Sequence, residues 1–180
     1  MFLTRLTISL FEFGLAVLMS GLLIFFTFKL FIRANPDFNM ELEIKKGNVA
    51  VGILVAAILF SASIILKEGM TSVVTMVRMH VVLPAGRVLT WTELVAMCIA
   101  HLGMAMLMAL FTISVTLRLF GKLERKIMAP GKELEAGNIA VGILLAAVVL
   151  ISSLYVSAGV SAVSKSLVPQ PSMGQVRIME

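Results

Sequence analysis

Residues 47–57 read GNVAVGILVAA and residues 137–147 read GNIAVGILLAA, a spacing of ninety residues at which nine of eleven positions are identical. The two exchanges, Val49 for Ile139 and Val55 for Leu145, keep the aliphatic character. A match of this length within one chain describes a unit used twice. Each copy opens an apolar run, which ends near Leu66 in the first half and near Ser157 in the second. The unit is therefore expected to contain a membrane helix that starts at Gly-Asn, with a further apolar helix before it.

The whole composition agrees with a membrane protein. Of 180 residues, 59% are hydrophobic and only 14% charged, and the mean hydropathy is +1.04, far from the balance of soluble globular domains. A bilayer core about 30 Å thick takes roughly 20 apolar residues per helix. Four runs qualify, at about 8–31, 48–66, 93–119 and 138–160. The expected fold is an all-α membrane protein with four transmembrane helices arranged as two tandem parallel helix-pair repeats. Residues 1–67 are expected to form the first repeat, 68–92 a segment that either lies in the interface or simply connects the halves, 93–160 the second repeat and 161–180 a flexible tail. The connections leave no room for a separate catalytic domain.

Repeats of two helices share one orientation, so the duplication predicts a pseudo-twofold bundle about the membrane normal. The amino-terminal run from Phe13 to Phe28 is followed by Lys29 and Arg33 and lacks a small-residue cleavage site, so it reads as a retained helix. Turn signals stand at Asn35-Pro36-Asp37 and Pro84-Ala85-Gly86. Thr90 with Glu93 forms a capping box for the third span, and Trp91 fits an interfacial anchor.

Charge placement sets the partners. The formal net charge is +5, but the Lys and Arg residues lie beside the spans, which points to lipid phosphates rather than nucleic acid. The hairpin loops at 32–47 and 118–137, with Lys29, hold nine of the fifteen basic residues. The positive-inside rule puts those loops in the cytoplasm and the termini outside. Arg118, Lys122, Arg125 and Lys126 form a basic loop suited to lipid or a peripheral partner.

The repeated motif itself reads as a packing device. Asn48 and Asn138 cap the helices, Gly47 and Gly137 allow a tight bend, and Gly52/Ala56 and Gly142/Ala146 offer flat faces four residues apart to a neighbouring helix. Ala16 and Ser20 form a similar pair in the first span. No reactive side chain accompanies either copy.

Candidates for chemistry are few. Glu12 and His101 occupy nearly equivalent depths in equivalent helices and together suit a proton or cation site, a gate or a relay; the ordinary alternative is that both reach headgroup water from the helix start. Met97, His101, Met104 and Met108, with Cys98, recur on one face of the third span in the manner of a soft-metal site, yet methionine is a common packing residue and the other spans supply no matching ligands, so no metal is expected. Ser61, Ser63, Thr112, Ser114, Thr116, Ser152, Ser153 and Ser157 suit backbone bonding within the helices or a polar path. No Ser-His-Asp set, phosphate loop or zinc motif is present, so neither an enzyme nor a cofactor is expected.

Two tandem helix pairs, each with an acidic linker running into GNxAVGIxxAA, resemble the bacterial inner-membrane family known as domain of unknown function 350, the YjfL-like proteins. The signature is carried by Glu43, Gly47, Asn48, Ala50, Gly52 and Ala56, and again by Glu133, Gly137, Asn138, Ala140, Gly142 and Ala146. The resemblance implies a small four-helix inner-membrane protein with no established activity and a setting among membrane-stress proteins. Two functions from different classes follow as expectations. One is an oligomeric structural or anchoring subunit of a membrane complex, paired with copies of itself or with another membrane protein. The other is a homo-oligomeric channel for an ion or small solute with Glu12 and His101 as its gate.

Overall fold

The computed structural model describes residues 2–29, 39–82, 90–124 and 129–167. Among these the chain is helical, in the order α1 (Phe2–Thr27), α2 (Met40–Lys45), α3 (Val49–Val82), α4 (Trp91–Glu124), α5 (Pro130–Glu135) and α6 (Ile139–Leu167). The four long helices are each long and apolar enough to cross a membrane. The chain is an all-α, multi-pass membrane protein.

α3 runs unbroken for 34 residues, so residues 68–82, expected to connect the halves, continue the second span. The reason is local. No proline falls between Val49 and Val82, and of the two polar residues that argue against a span, Arg78 stands exposed on the helix surface and His80 packs against Trp91. At about 1.5 Å per residue, the helix is about 50 Å long and projects beyond a bilayer core of about 30 Å. α4 matches it in length and α6 extends to Leu167, through the start of the expected tail. The turn signals at 35–37 and 84–86 and the residues beyond Leu167 lie outside the described segments.

The α3–α4 hairpin closes with the expected capping box. The Thr90 backbone N–H donates to Glu93 Oε2 at 2.8 Å, and the Glu93 N–H returns to Thr90 Oγ1 at 3.4 Å. Trp91 packs edge-on against His80 with ring centroids 4.3 Å apart, tying the two helix ends together.

α3 is the hub. It packs on α6, α4 and α1, and α4 also packs on α6. Ala50, Val51, Leu54, Ile58, Ala62 and Ile65 along α3 are fully buried, and Ala105, Ala109 and Ile113 of α4 with Val141, Leu145 and Val149 of α6 complete the core. α1 is the most loosely held: 17% of its most apolar window is buried, against 56% for α3.

Candidate functional site

Each Gly-Asn pair forms an elbow between a short helix and a long one. Asn39 opens α2 by accepting from the Leu42 N–H at 3.0 Å, and Glu41 and Glu43 sit in the first turn, where the helix dipole favours anions. α5 instead opens with Pro130 in its first turn, where the missing N–H leaves no bond unmade. Both short helices then end in the same Schellman motif. Gly47 N–H donates to Ile44 O and Asn48 N–H to Glu43 O, each at 3.0 Å; Gly137 and Asn138 repeat the pattern on Leu134 O and Glu133 O at 3.0 and 2.9 Å. Gly47 and Gly137 have φ of 80°, a left-handed conformation that a side chain would strain.

The asparagine belongs to both helices of its elbow. Asn48 Oδ1 accepts from Val51 N–H at 3.2 Å and caps α3, while its Nδ2 donates to Glu43 Oε2 at 3.0 Å. Asn138 Oδ1 accepts from Ala140 and Val141 N–H, and its Nδ2 donates to Glu133 Oε2 at 2.8 Å. The carboxylate five residues before the asparagine thus locks the elbow in both copies.

The two elbows differ in their outer contacts. Asn48 Nδ2 also donates to Leu134 O at 2.8 Å, bolting the first elbow to α5; Asn138 makes no such bond. Lys46 Nζ stands 2.7 Å from Glu43 Oε1, and Glu135 adds further negative charge beside it. The hydrogen bonds from Lys46 and Asn48 hold the Glu43 carboxyl below its usual range, and the same Glu43 bond raises Lys46. At position 136, the counterpart of Lys46, the second copy has alanine.

The small-residue faces differ in the same way. A Cβ on Gly142 would lie 2.7 Å from Ala50 O and 2.9 Å from Ala50 Cα, so this glycine lets α6 lie directly on the backbone of α3. Ala146 is buried beside it. At Gly52 nothing lies within 4 Å of the corresponding Cβ, and Ala56 is exposed. The expected pseudo-twofold bundle is therefore corrected: one glycine face closes the interior and its counterpart stays open. A second close approach, absent from the sequence reading, occurs at Gly69, whose Cβ would meet Ala105 Cβ at 2.5 Å and His101 O at 3.2 Å. The mixed stretch around it concealed the contact, since periodicity marks a face but not its partner.

His101 and Glu12 occupy different environments. His101 is buried beneath α3, its Nδ1 bonded to Met97 O at 2.8 Å and its Nε2 without a partner among the described residues. Glu12 is exposed on α1, and no hydrogen bond or ion pair among the described residues joins it to His101. Along the methionine face, Met97, Cys98 and Met104 are half-buried and Met108 is exposed. No group of three His, Cys, Asp or Glu residues that could hold a metal occurs among the described residues. Ser63, Ser152, Ser153 and Ser157 bond to carbonyls of their own helices at 2.8 to 2.9 Å, whereas Ser61 is buried with its hydroxyl unpartnered. Thr112 is buried, and Ser114 and Thr116 are half-buried. Arg118 and Lys122 are exposed near the end of α4; Arg125 and Lys126 lie outside the described residues.

No curated protein and no solved structure matches the chain. A family comparison matches residues 3–160, spanning all four long helices and both elbows. The chain belongs to the family described as Domain of Unknown Function (DUF350).

Proposed function

We propose that the protein is a non-enzymatic structural subunit that assembles with copies of itself in a bacterial inner membrane and anchors a membrane complex. The observation that carries this reading is what α1, α3 and α6 leave uncovered. Lipid tails are as apolar as leucine, so an exposed leucine needs no explanation there, but bare glycine, serine and carboxylate do. Ser63, Gly159 and Glu12 are exposed, and among the described residues nothing lies within 4 Å of a Cβ built on Gly52 or Gly159. Such faces suit close helix contact. The two elbows and the basic stretch at Arg118, Lys122, Arg125 and Lys126 belong on the cytoplasmic side, with the termini periplasmic, where anionic lipid or a peripheral protein would meet them. A role in membrane stress fits this arrangement.

Native mass measurement of the full chain in lipid nanodiscs tests the reading, with more than one copy per particle expected and a single copy refuting it. For the anchoring role, capture in mild detergent should recover a partner that is lost when the four basic residues become Gln.

One observation favours a conducting assembly as a second reading: the buried Nε2 of His101 and the buried hydroxyl of Ser61, each without a hydrogen-bond partner among the described residues, supply polar groups inside an apolar bundle. Ion flux into proteoliposomes that is abolished by His101→Ala and Glu12→Gln would support it, and flux indifferent to both would remove that pair as its gate.

A further inference from the structure

We infer that a second copy of the chain docks head to tail, its first half covering the outer face of the second half in the same way that the second half covers the first within one chain. This inference rests on the subunit reading above and specifies its geometry.

The internal contact supplies the template. On the first half it uses Asn48, Ala50 and Gly69; on the second half it uses Leu134, Gly142, His101 and Ala105. Every one of these residues has a counterpart in the other half. Between the elbows the correspondence is the ninety-residue spacing, and between α1 and α4 it is one residue shorter, since Gly14-Leu15-Ala16-Val17-Leu18-Met19 aligns with Gly103-Met104-Ala105-Met106-Leu107-Met108. The counterparts on the second half are Asn138, Ala140 and Gly159. Those on the first half are Ile44, Gly52, Glu12 and Ala16.

Of the seven counterparts, Ala140, Gly159, Ile44 and Glu12 are exposed, and Asn138, Gly52 and Ala16 are half-buried. Ala50 is fully buried and Ala140 exposed; Leu134 is buried and Ile44 exposed; His101 is buried and Glu12 exposed. Gly69 and Gly142 have neighbours within 3 Å of a built Cβ, whereas Gly159 and Gly52 have none within 4 Å. Asn48 bonds the other elbow through Leu134 O, whereas among the described residues the Asn138 side chain bonds only within its own elbow and α6. Further up the helices Ser153 is buried and Ser63 exposed, and Ile65 is buried while Tyr155 at its place is 79% exposed. The chain thus carries two half-interfaces that match each other and that the described residues leave exposed or half-buried.

Such a pair of surfaces is heterologous, and repetition of the contact builds a closed ring or a row. Docking lays Gly52 of one copy on Ala140 of the next and Gly159 on Ala16. It lets Asn138 donate to Ile44 O. It also brings Lys45 towards Glu133, beside which the second elbow has Ala136 in place of Lys46, and removes Glu12 from the lipid.

Disulfide trapping in native membranes tests this, in a Cys98→Ser background. Asn48→Cys with Glu135→Cys is the control, expected to lock within one chain. Lys45→Cys with Asn138→Cys, the same pair transposed, is expected to give a ladder of covalent oligomers, and the two single variants expressed together a dimer alone. Each single variant by itself should remain uncrosslinked. Adding Gly159→Leu to the double variant should abolish the ladder while leaving the helical content unchanged, because none of the described residues of a single chain lies within 4 Å of a Cβ built there. A locked control without a ladder overturns the inference, as does self-crosslinking of either single variant, which marks a face-to-face dimer. If native mass shows several copies and the ladder fails, the head-to-tail contact falls and the subunit reading stands; a single copy per particle removes both.

Discussion

A single methyl group, added at two matching positions, should have opposite effects on the isolated chain. In Gly142→Ala the new Cβ falls 2.7 Å from Ala50 O and 2.9 Å from Ala50 Cα. Both atoms belong to the backbone of α3 and cannot rotate away, so α3 and α6 must part by several tenths of an ångström along their main contact. Overpacking of this kind costs about 1 to 3 kcal/mol, and the better helix propensity of alanine returns about 1 kcal/mol. The net loss is up to about 2 kcal/mol. Gly52→Ala meets nothing within 4 Å, so only the propensity gain of up to about 1 kcal/mol remains. Unfolding by sodium dodecyl sulfate, followed by circular dichroism in dodecyl maltoside at a dilution that keeps the chain single, should move the midpoint down for Gly142→Ala and up for Gly52→Ala. Equal shifts of one sign would refute the asymmetric packing of the two glycine faces.

The elbows allow a parallel comparison: Asn48→Ala and Asn138→Ala both lose a cap and a carboxylate bond, but only Asn48 loses Leu134 O, so it should be the more damaging by about 1 kcal/mol in the same titration. Gly69→Val forces Ala105 away and should lower the thermal midpoint, while Gly159→Val leaves it unchanged in the single chain. Acid should also weaken the first elbow. Because Glu43 is held below its ordinary pKa by Lys46 and Asn48, its contribution is complete above the usual carboxylate range and is lost as pH falls through the lowered value. Thermal midpoints measured from neutral to acid pH should decline, and Glu43→Gln should flatten that decline. Lys46, raised by the same bond, adds a contribution that is complete below the usual lysine range and fades only as pH rises through its raised value.

The sequence made the helices legible because apolar length and repeated caps are local properties. Gly47 and Gly137, read as sites of a tight bend, take the left-handed turn, and Thr90 and Glu93 close their box. What escaped was pairing. Gly52 and Gly142 stand in nearly identical sequence, yet one is open and the other rests on Ala50, because contact depends on which neighbour arrives and not on the face presented. Glu12 and His101 shared a depth in the sequence but differ in burial for the same reason. The run at 68–82 reads as a connector because Arg78 and His80 lower its hydropathy, yet both are carried on a continuous helix, Arg78 on its exposed surface. The carboxylate lock was visible in principle: EIKKGN and ELEAGN both place a glutamate five residues before the asparagine.

The bond from Asn48 to Leu134 O also orders events in time. Donor and acceptor are 86 residues apart in the chain. At a synthesis rate of about 5 to 20 residues per second, roughly 4 to 17 s pass between the emergence of one and of the other. During that interval the first elbow can form its local turn but not its outer bolt, and the Gly69 groove awaits α4. A ribosome paused between the two halves would therefore hold a nascent chain whose first helix pair is inserted yet unlatched, and that state is the one on which a membrane chaperone or protease would act.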